Sequence, residues 1–243
     1  MMRYFKMLVA ALITVLCITG CEKNLSEENG NLPGGGTTNG TGTTTAPTGS
    51  SVADCKACTY IPMCNNSVYQ YSDTGFTATG TPVNFTIHFE KDTTIGTVVY
   101  QKYTTENAQP SYYNCTAGVS TVIGINGTTV AGAPVEFVKL TLLKANEAVG
   151  ASWTDINTNG GQQFTYTSSI IEKGVTRVVK GITYTDVIKV HVTTTIDVAG
   201  GTIPAGQSDY YYAKGKGLIE NITIDDFSGT QILHRVLISA VIP

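Results

Sequence analysis

The chain has 243 residues, a formal net charge of −3, and charged residues make up 14% of it; three histidines, one tryptophan and six cysteines are present. A net-negative chain with so few cations is poorly suited to a polyphosphate backbone, which excludes nucleic acid as its main partner. Sparse charge with many Gly, Thr and Tyr fits an exported β-protein better than an enzyme with crowded polar clusters.

The opening stretch, "MMRYFKMLVAALITVLCITGC", sets Arg3 and Lys6 before an apolar run from Met7 to Ile18. This is the layout of a secretory signal over residues 1–20, and the run is short for a membrane span. Ile18-Thr19-Gly20-Cys21 resembles the bacterial lipobox. That resemblance implies lipidation of Cys21 and a membrane anchor of acyl chains, each buried methylene contributing about 0.8 kcal/mol. Loss of Arg3 and Lys6 with the signal would take the net charge from −3 to −5. Residues 21–53 then carry almost no large apolar side chain and read as a flexible Gly/Thr/Asn-rich spacer with a reach of about 30 Å. Its acidic start, Glu22 and Ser26-Glu27-Glu28, resembles surface-export signals of Bacteroidota lipoproteins. The expected location is the outer membrane, with its periplasmic face and the cell surface both open.

"CKACTYIPMC" follows, with Cys55, Cys58 and Cys64 in ten residues and Cys115 further on. An even set of four thiols in an oxidising compartment argues for two disulfides, whose connectivity the sequence does not choose. The expectation is that one of the first three bonds Cys115. A redox pair at Cys55 and Cys58 would want a helix N-terminus. A four-thiolate zinc site lacks a second Cys-x-x-Cys pair and competes with oxidation. Cys-x2-Cys-x-Tyr-x-Pro-x-Cys also resembles half of an auxiliary iron–sulfur motif, with no catalytic domain here for such a cluster to serve.

From residue 54 to 243 the hydrophobic period is two. "NFTIHFE" alternates Phe85, Ile87 and Phe89 with polar residues, and "VEFVKLTLL" is apolar on both faces. Between them, Asp92-Thr93-Thr94 resembles an O-glycosylation sequon of Bacteroidota envelope proteins. "DINTNG" places Asp155, Asn157 and Asn159 at the alternate positions that open a calcium loop, but Tyr166 stands where the bidentate Glu belongs; a polar turn is the alternative. "QFTYTSSII" and "ITYTDVIKVHVTTTIDV" read as strands, the second either one long strand or two joined by a bulge. Turns are expected at Glu172-Lys173-Gly174, Lys180-Gly181, Ala199-Gly200-Gly201 and Phe227-Ser228-Gly229. Tyr210, Tyr211 and Tyr212 must alternate between faces, so at least one is a candidate for a ligand-contacting surface. Asp225-Asp226 reads as the start of a turn rather than a catalytic carboxylate pair. "QILHRVLISAVI" closes the chain as a central strand.

No amphipathic helix of three turns appears. The expected fold is all-β, one domain with a single antiparallel, strongly curved sheet or a half-open barrel or sandwich, and little helix. His88, His191 and His234 stand singly on strands, and no hydrolase, metallopeptidase or phosphate-loop signature is present. "KGITYTDVIKV" and "YYAKGKGLIE" resemble a pattern of β-rich Bacteroidota-type lipoproteins, a group without an assigned activity. The resemblance implies a curved antiparallel sheet rather than a mechanism, and Gly215 and Gly217 read as a bend or a close approach of backbone. The functional expectation is a non-catalytic binding or envelope-assembly module, held to the membrane by its N-terminal lipid, with a lipid, glycan or envelope protein as ligand and no cofactor. The alternatives are a cell-surface glycan hydrolase using paired carboxylates, or a calcium- or zinc-dependent binding protein.

Overall fold

The computed structural model describes residues 58–75, 81–106, 110–126, 136–159 and 161–243. The expected signal segment over residues 1–20, Cys21, the expected spacer to residue 53, and Cys55 lie outside the described residues. Within them the chain forms β1 (Val68–Thr74), β2 (Val83–Ile95), β3 (Val98–Thr105), β4 (Ser111–Thr116), β5 (Val119–Asn126) and β6 (Glu136–Lys144). It continues as β7 (Ser152–Asn159), β8 (Gln162–Val179), β9 (Ile182–Val198), β10 (Gly201–Ala213), β11 (Gly217–Asp225) and β12 (Thr230–Val241). All described pairings are antiparallel, and β12 returns to β1, giving the order β6-β5-β4-β3-β2-β1-β12-β11-β10-β9-β8-β7. The all-β, strongly curved single sheet expected from the period-two pattern is what forms, and it curls into a nearly closed barrel.

The two ends of the sheet, β6 and β7, are consecutive in the chain and meet through side chains. Trp153, Asp155 and Asn157 occupy alternate positions of β7, so they project to one side. Asp155 accepts hydrogen bonds from the backbone N–H and the hydroxyl of Thr141 at 2.8 and 3.2 Å. Asn157 accepts from the Lys139 N–H and donates to the Lys139 carbonyl, both at 3.0 Å. Trp153 Nε1 donates to the Thr141 carbonyl at 2.8 Å. Side-chain groups thus satisfy backbone groups on the β6 edge that would otherwise remain unpaired.

Inside, aromatic rings fill the space. Tyr69 packs edge-on to Phe89 at 5.7 Å, Tyr71 stacks on Phe85 at 5.6 Å, and Tyr103 meets Tyr113 at 4.9 Å. Ile170, Ile188 and Val190 are fully buried against them, each worth about 1.5–3 kcal/mol. The segment before β1 closes one end, with Tyr60, Ile61, Met63 and Cys64 buried. Thr59 accepts a backbone hydrogen bond from Gly215, and Tyr69 donates its hydroxyl to the Pro62 carbonyl.

β9 is one continuous strand over the range expected, with a positive φ of 54° at Asp186 marking the bulge within it. Even positions face the core from Ile188 to Ile196, while Ile182, before the bulge, is exposed. Lys180-Gly181 forms the β8–β9 turn with both residues at positive φ, as a tight hairpin of this kind needs. Glu172-Lys173-Gly174 does not turn. It stays in β8, where three register shifts between Ile170 and Arg177 let the hairpin bend. At Gly217, with φ 86°, an added Cβ would sit 3.2 Å from the Tyr69 ring, the close approach expected there.

Candidate functional site

Consecutive residues of β10 face opposite sides of the sheet. Tyr210 and Tyr212 lie across from Val190 and Ile188 of β9 and stack with each other inside, centroids 6.3 Å apart. Tyr211 faces outward, across from Lys189 and Glu220, yet it is only 5% exposed. The bent β8–β9 hairpin covers it, setting the Arg177 guanidinium 3.9 Å from its ring centroid. Of the three tyrosines, Tyr211 and Tyr212 are therefore buried and Tyr210 half-buried. None offers an open stacking face, because a tertiary contact covers the outward one.

Around Tyr211 the outer face carries two linked polar groups. Glu220 is buried and accepts from Arg177, through Nε at 2.7 Å and Nη2 at 2.5 Å. His234 Nε2 lies 2.8 Å from the other Glu220 oxygen. Two residues along β10, Asp209 accepts from Lys189 at 3.0 Å and lies 2.7 Å from His191 Nδ1. Burial alone would raise the Asp209 carboxyl, but hydrogen bonds from His191 and Lys189 outweigh it and hold the group below the usual carboxylate range. Burial alone would lower the Lys189 ammonium, and its bond to Asp209 with the carboxylate's charge raises it instead. The result is a row of donors and acceptors across β8 to β12 in which each cation, Arg177 and Lys189, is matched by an anion.

The sequence placed His191 and His234 as isolated surface histidines. Cross-strand register makes each a partner of a carboxylate on the neighbouring strand of its hairpin, and the register of a pairing is not legible in the pattern of one strand. One signal was present: Lys189, His191, Asp209 and Tyr211 share the parity opposite to the apolar face of their strands. His88 is exposed on the outer side of β2.

Two buried carboxylates occur among the described residues, Asp73 and Glu220. Asp73 pairs with Arg235 in register and forms a two-pronged ion pair with it at 2.9 and 2.8 Å. Arg235 lies opposite Asn221 on β11, so Glu220, the preceding residue, projects from the other face. The two acids are on opposite sides of the sheet and do not flank a common cleft, as paired glycosidase carboxylates must. Asp225 starts a turn, accepting from the N–H groups of Phe227 and Ser228.

Asp155, Asn157 and Asn159 lie on β7, not in a loop or a turn. A calcium loop wraps its oxygens round one point, whereas here the oxygens of Asp155 and Asn157 accept from the β6 edge. Asx residues at alternate positions suit a strand edge as well as a cation loop or a turn, so the local pattern does not choose between them. Among the described residues no group of three or more His, Cys, Asp or Glu could hold a metal ion. Cys58 and Cys115 form a disulfide with Cα atoms 6.2 Å apart, which removes two of the four thiolates a zinc site would use and half of the Cys55–Cys58 redox pair. Cys64 is also disulfide-bonded.

No family model matches the chain, and no curated protein does. Solved structures similar to it include a protein inferred to be a lipoprotein from Parabacteroides distasonis, with a TM-score of 0.47 and 12% identity over 75% of this chain and 98% of that one. Another is a protein inferred to be exported, with a YmcC-like fold, from Bacteroides fragilis, with a TM-score of 0.42 and 11% identity over 75% of this chain and 98% of that one.

Proposed function

We propose that the chain is an exported lipoprotein, anchored in the outer membrane through Cys21, whose β domain is a non-catalytic module binding a neutral glycan on the outer face of β8 to β12. The observation that carries this reading is the charge-matched row formed by Arg177, Glu220, His234, Lys189, Asp209 and His191. A ligand rich in hydroxyls both donates and accepts, and it fits groups of both signs held in fixed positions with no surplus charge. An anionic polymer would want a surplus of cations, and the row has none. Half-exposed His191 and His234 at its edges leave polar atoms for such a ligand to reach.

Neutral oligosaccharides of envelope type, titrated while the ring signals of His191 and His234 are followed by NMR, test the reading. Saturable shifts at these two rings, with His88 unchanged, are the expected result. A panel of neutral glucan, mannan and galactan fragments that leaves both rings unmoved would remove the glycan assignment. The anchor is tested separately, by incorporation of labelled palmitate into the full chain and its loss in Cys21→Ala.

A further inference from the structure

Antiparallel alternation sorts the connections to two ends of the sheet, with β6–β7, β8–β9 and β10–β11 at one end and β3–β4, β9–β10 and β11–β12 at the other. The chain enters β1 at the first of these ends, and the segment before β1 is fixed there. Cys58 is bridged to Cys115 near the end of β4, the Gly215 N–H donates to the Thr59 carbonyl, and Tyr60 donates its hydroxyl to Asp186 at 2.5 Å. The stretch leading back to Cys21 therefore leaves the domain beside the base of the β8–β9 hairpin and the β10–β11 turn.

That hairpin outruns its neighbours. Ala213, the last residue of β10, pairs with Val187, and Ser152, the first of β7, pairs with Ser169, so the ribbon from Arg177 to Tyr184 has strand partners only within itself. Arg177 lies over Tyr211, and alternation then aims Val178 the other way, where it is 61% exposed; Ile182, across the turn, is 49% exposed. Exposed aliphatic side chains at the tip of a projecting ribbon suit a surface that meets lipid or protein.

Charge selects lipid. Lys180 lies in this turn, and Lys214 and Lys216 in the next. Lys214 is matched by Asp186 at 3.0 Å, whereas Lys180 and Lys216 are exposed and make no ion pair among the described residues. Glu147, the acid of the β6–β7 connection, lies beside Lys173, which donates to its carbonyl at 2.9 Å. At the far end the described connections carry Glu106 and Asp226, next to Asp225, and no cation, so Phe227, exposed there, sits among acids. Surplus ammonium groups beside exposed aliphatic side chains, at the end from which the tether leaves, complement an anionic membrane surface.

We propose that this end of the barrel docks on an anionic phospholipid surface, Val178 and Ile182 entering the headgroup boundary while Lys180 and Lys216 meet lipid phosphates. The docking rests on the anchor of the proposed function and is independent of the glycan face. The exported full-length protein, held by its anchor in phosphatidylcholine nanodiscs with or without phosphatidylglycerol, tests it, with a nitroxide-headgroup lipid as the probe and methyl NMR as the readout. Val178 and Ile182 methyl signals should broaden more than those of Val83, an exposed valine at the far end, and only when phosphatidylglycerol is present. The double variant Lys180→Gln, Lys216→Gln should lower the docked population roughly fivefold for each lysine and reduce the broadening accordingly. Equal broadening of Val178, Ile182 and Val83, indifference to phosphatidylglycerol, or an unchanged double variant would each overturn the docking while leaving the anchor standing. A protein that does not stay on discs of either composition would overturn both.

Discussion

Replacing Asp155 by alanine removes both hydrogen bonds that hold Thr141 to β7, at 2.8 Å to its N–H and 3.2 Å to its hydroxyl. Hydrogen bonds to a charged acceptor are worth roughly 1.5–3 kcal/mol, and the half-buried position of Asp155 favours the lower part of that range. The expected loss is about 2 kcal/mol, or about 4–8 °C in melting temperature for a domain of this size. Asp155→Asn keeps one acceptor oxygen and should lose about half as much. Asn157→Ala removes two neutral bonds to Lys139 and should cost about 1–2 kcal/mol. Because both residues close the same seam, the double variant should depart from the sum of the single losses by more than about 0.5 kcal/mol. Urea unfolding followed by fluorescence suits the measurement, since Trp153, the one tryptophan of the chain, sits in the seam with Lys144 5.6 Å from its ring. Hydrogen exchange at Lys139 and Thr141 should accelerate in step. An Asp155→Ala loss below about 0.5 kcal/mol would refute the closure argument. So would a rise in wild-type melting temperature with millimolar calcium that disappears in Asp155→Ala, which would restore the calcium reading.

Removal of the Cys58–Cys115 bridge, which closes a separation of 57 residues, should cost about 4 kcal/mol by chain entropy, read from unfolding curves of the wild type and of the Cys58→Ser, Cys115→Ser double variant without reductant. Peptide mapping of the exported protein should find Cys64 joined to Cys55, the thiol left over if Cys21 is lipidated and Cys17 departs with the signal. The Asp209–Lys189 pair predicts a pH window. Asp209 has a folded pKa below its unfolded value of about 3.9, so its contribution is complete above that pH and is lost as pH falls through the folded value. Lys189 has a folded pKa above its unfolded value of about 10.4, so its contribution is complete below that pH and is lost as pH rises through the folded value. Stability from this pair should be level between about pH 5 and 9, and Asp209→Asn should flatten the acid limb of the stability curve. Arg177→Ala strips the cover from Tyr211 and leaves buried Glu220 with His234 alone. A loss of about 2 kcal/mol is expected, less than for a fully buried pair because Arg177 is a third exposed, and Arg177→Lys should recover only part of it because an ammonium lacks the flat face that stacks on the ring. Equal stability of Arg177→Lys and wild type would count against the stacking contribution.

Several features follow from local chemistry and were legible without coordinates. Alternation in Ile188, Val190, Val192, Thr194 and Ile196 requires a strand with one face in the core, since side chains on a strand repeat every two residues. Lys180-Gly181 was readable as a hairpin turn because Gly, and less readily Lys, must take up positive φ there. Clustered cysteines behind an opening stretch that reads as an export signal argued for bridges, and one of the three does bond Cys115. What the tertiary structure alone decided depends on which strands meet. Nothing local distinguishes the Asx residues of β7 as seam-closing groups, because their partners are the backbone atoms of β6. Tyr211 carries the alternation of an exposed residue and is buried because register shifts in β8 bend a hairpin over it. His191 and His234 gain their carboxylates from strands 18 and 14 residues away. Period and composition act over a few residues and fix the elements, whereas closure, cover and pairing are set by register between elements, which the sequence encodes only through the packing of the whole sheet.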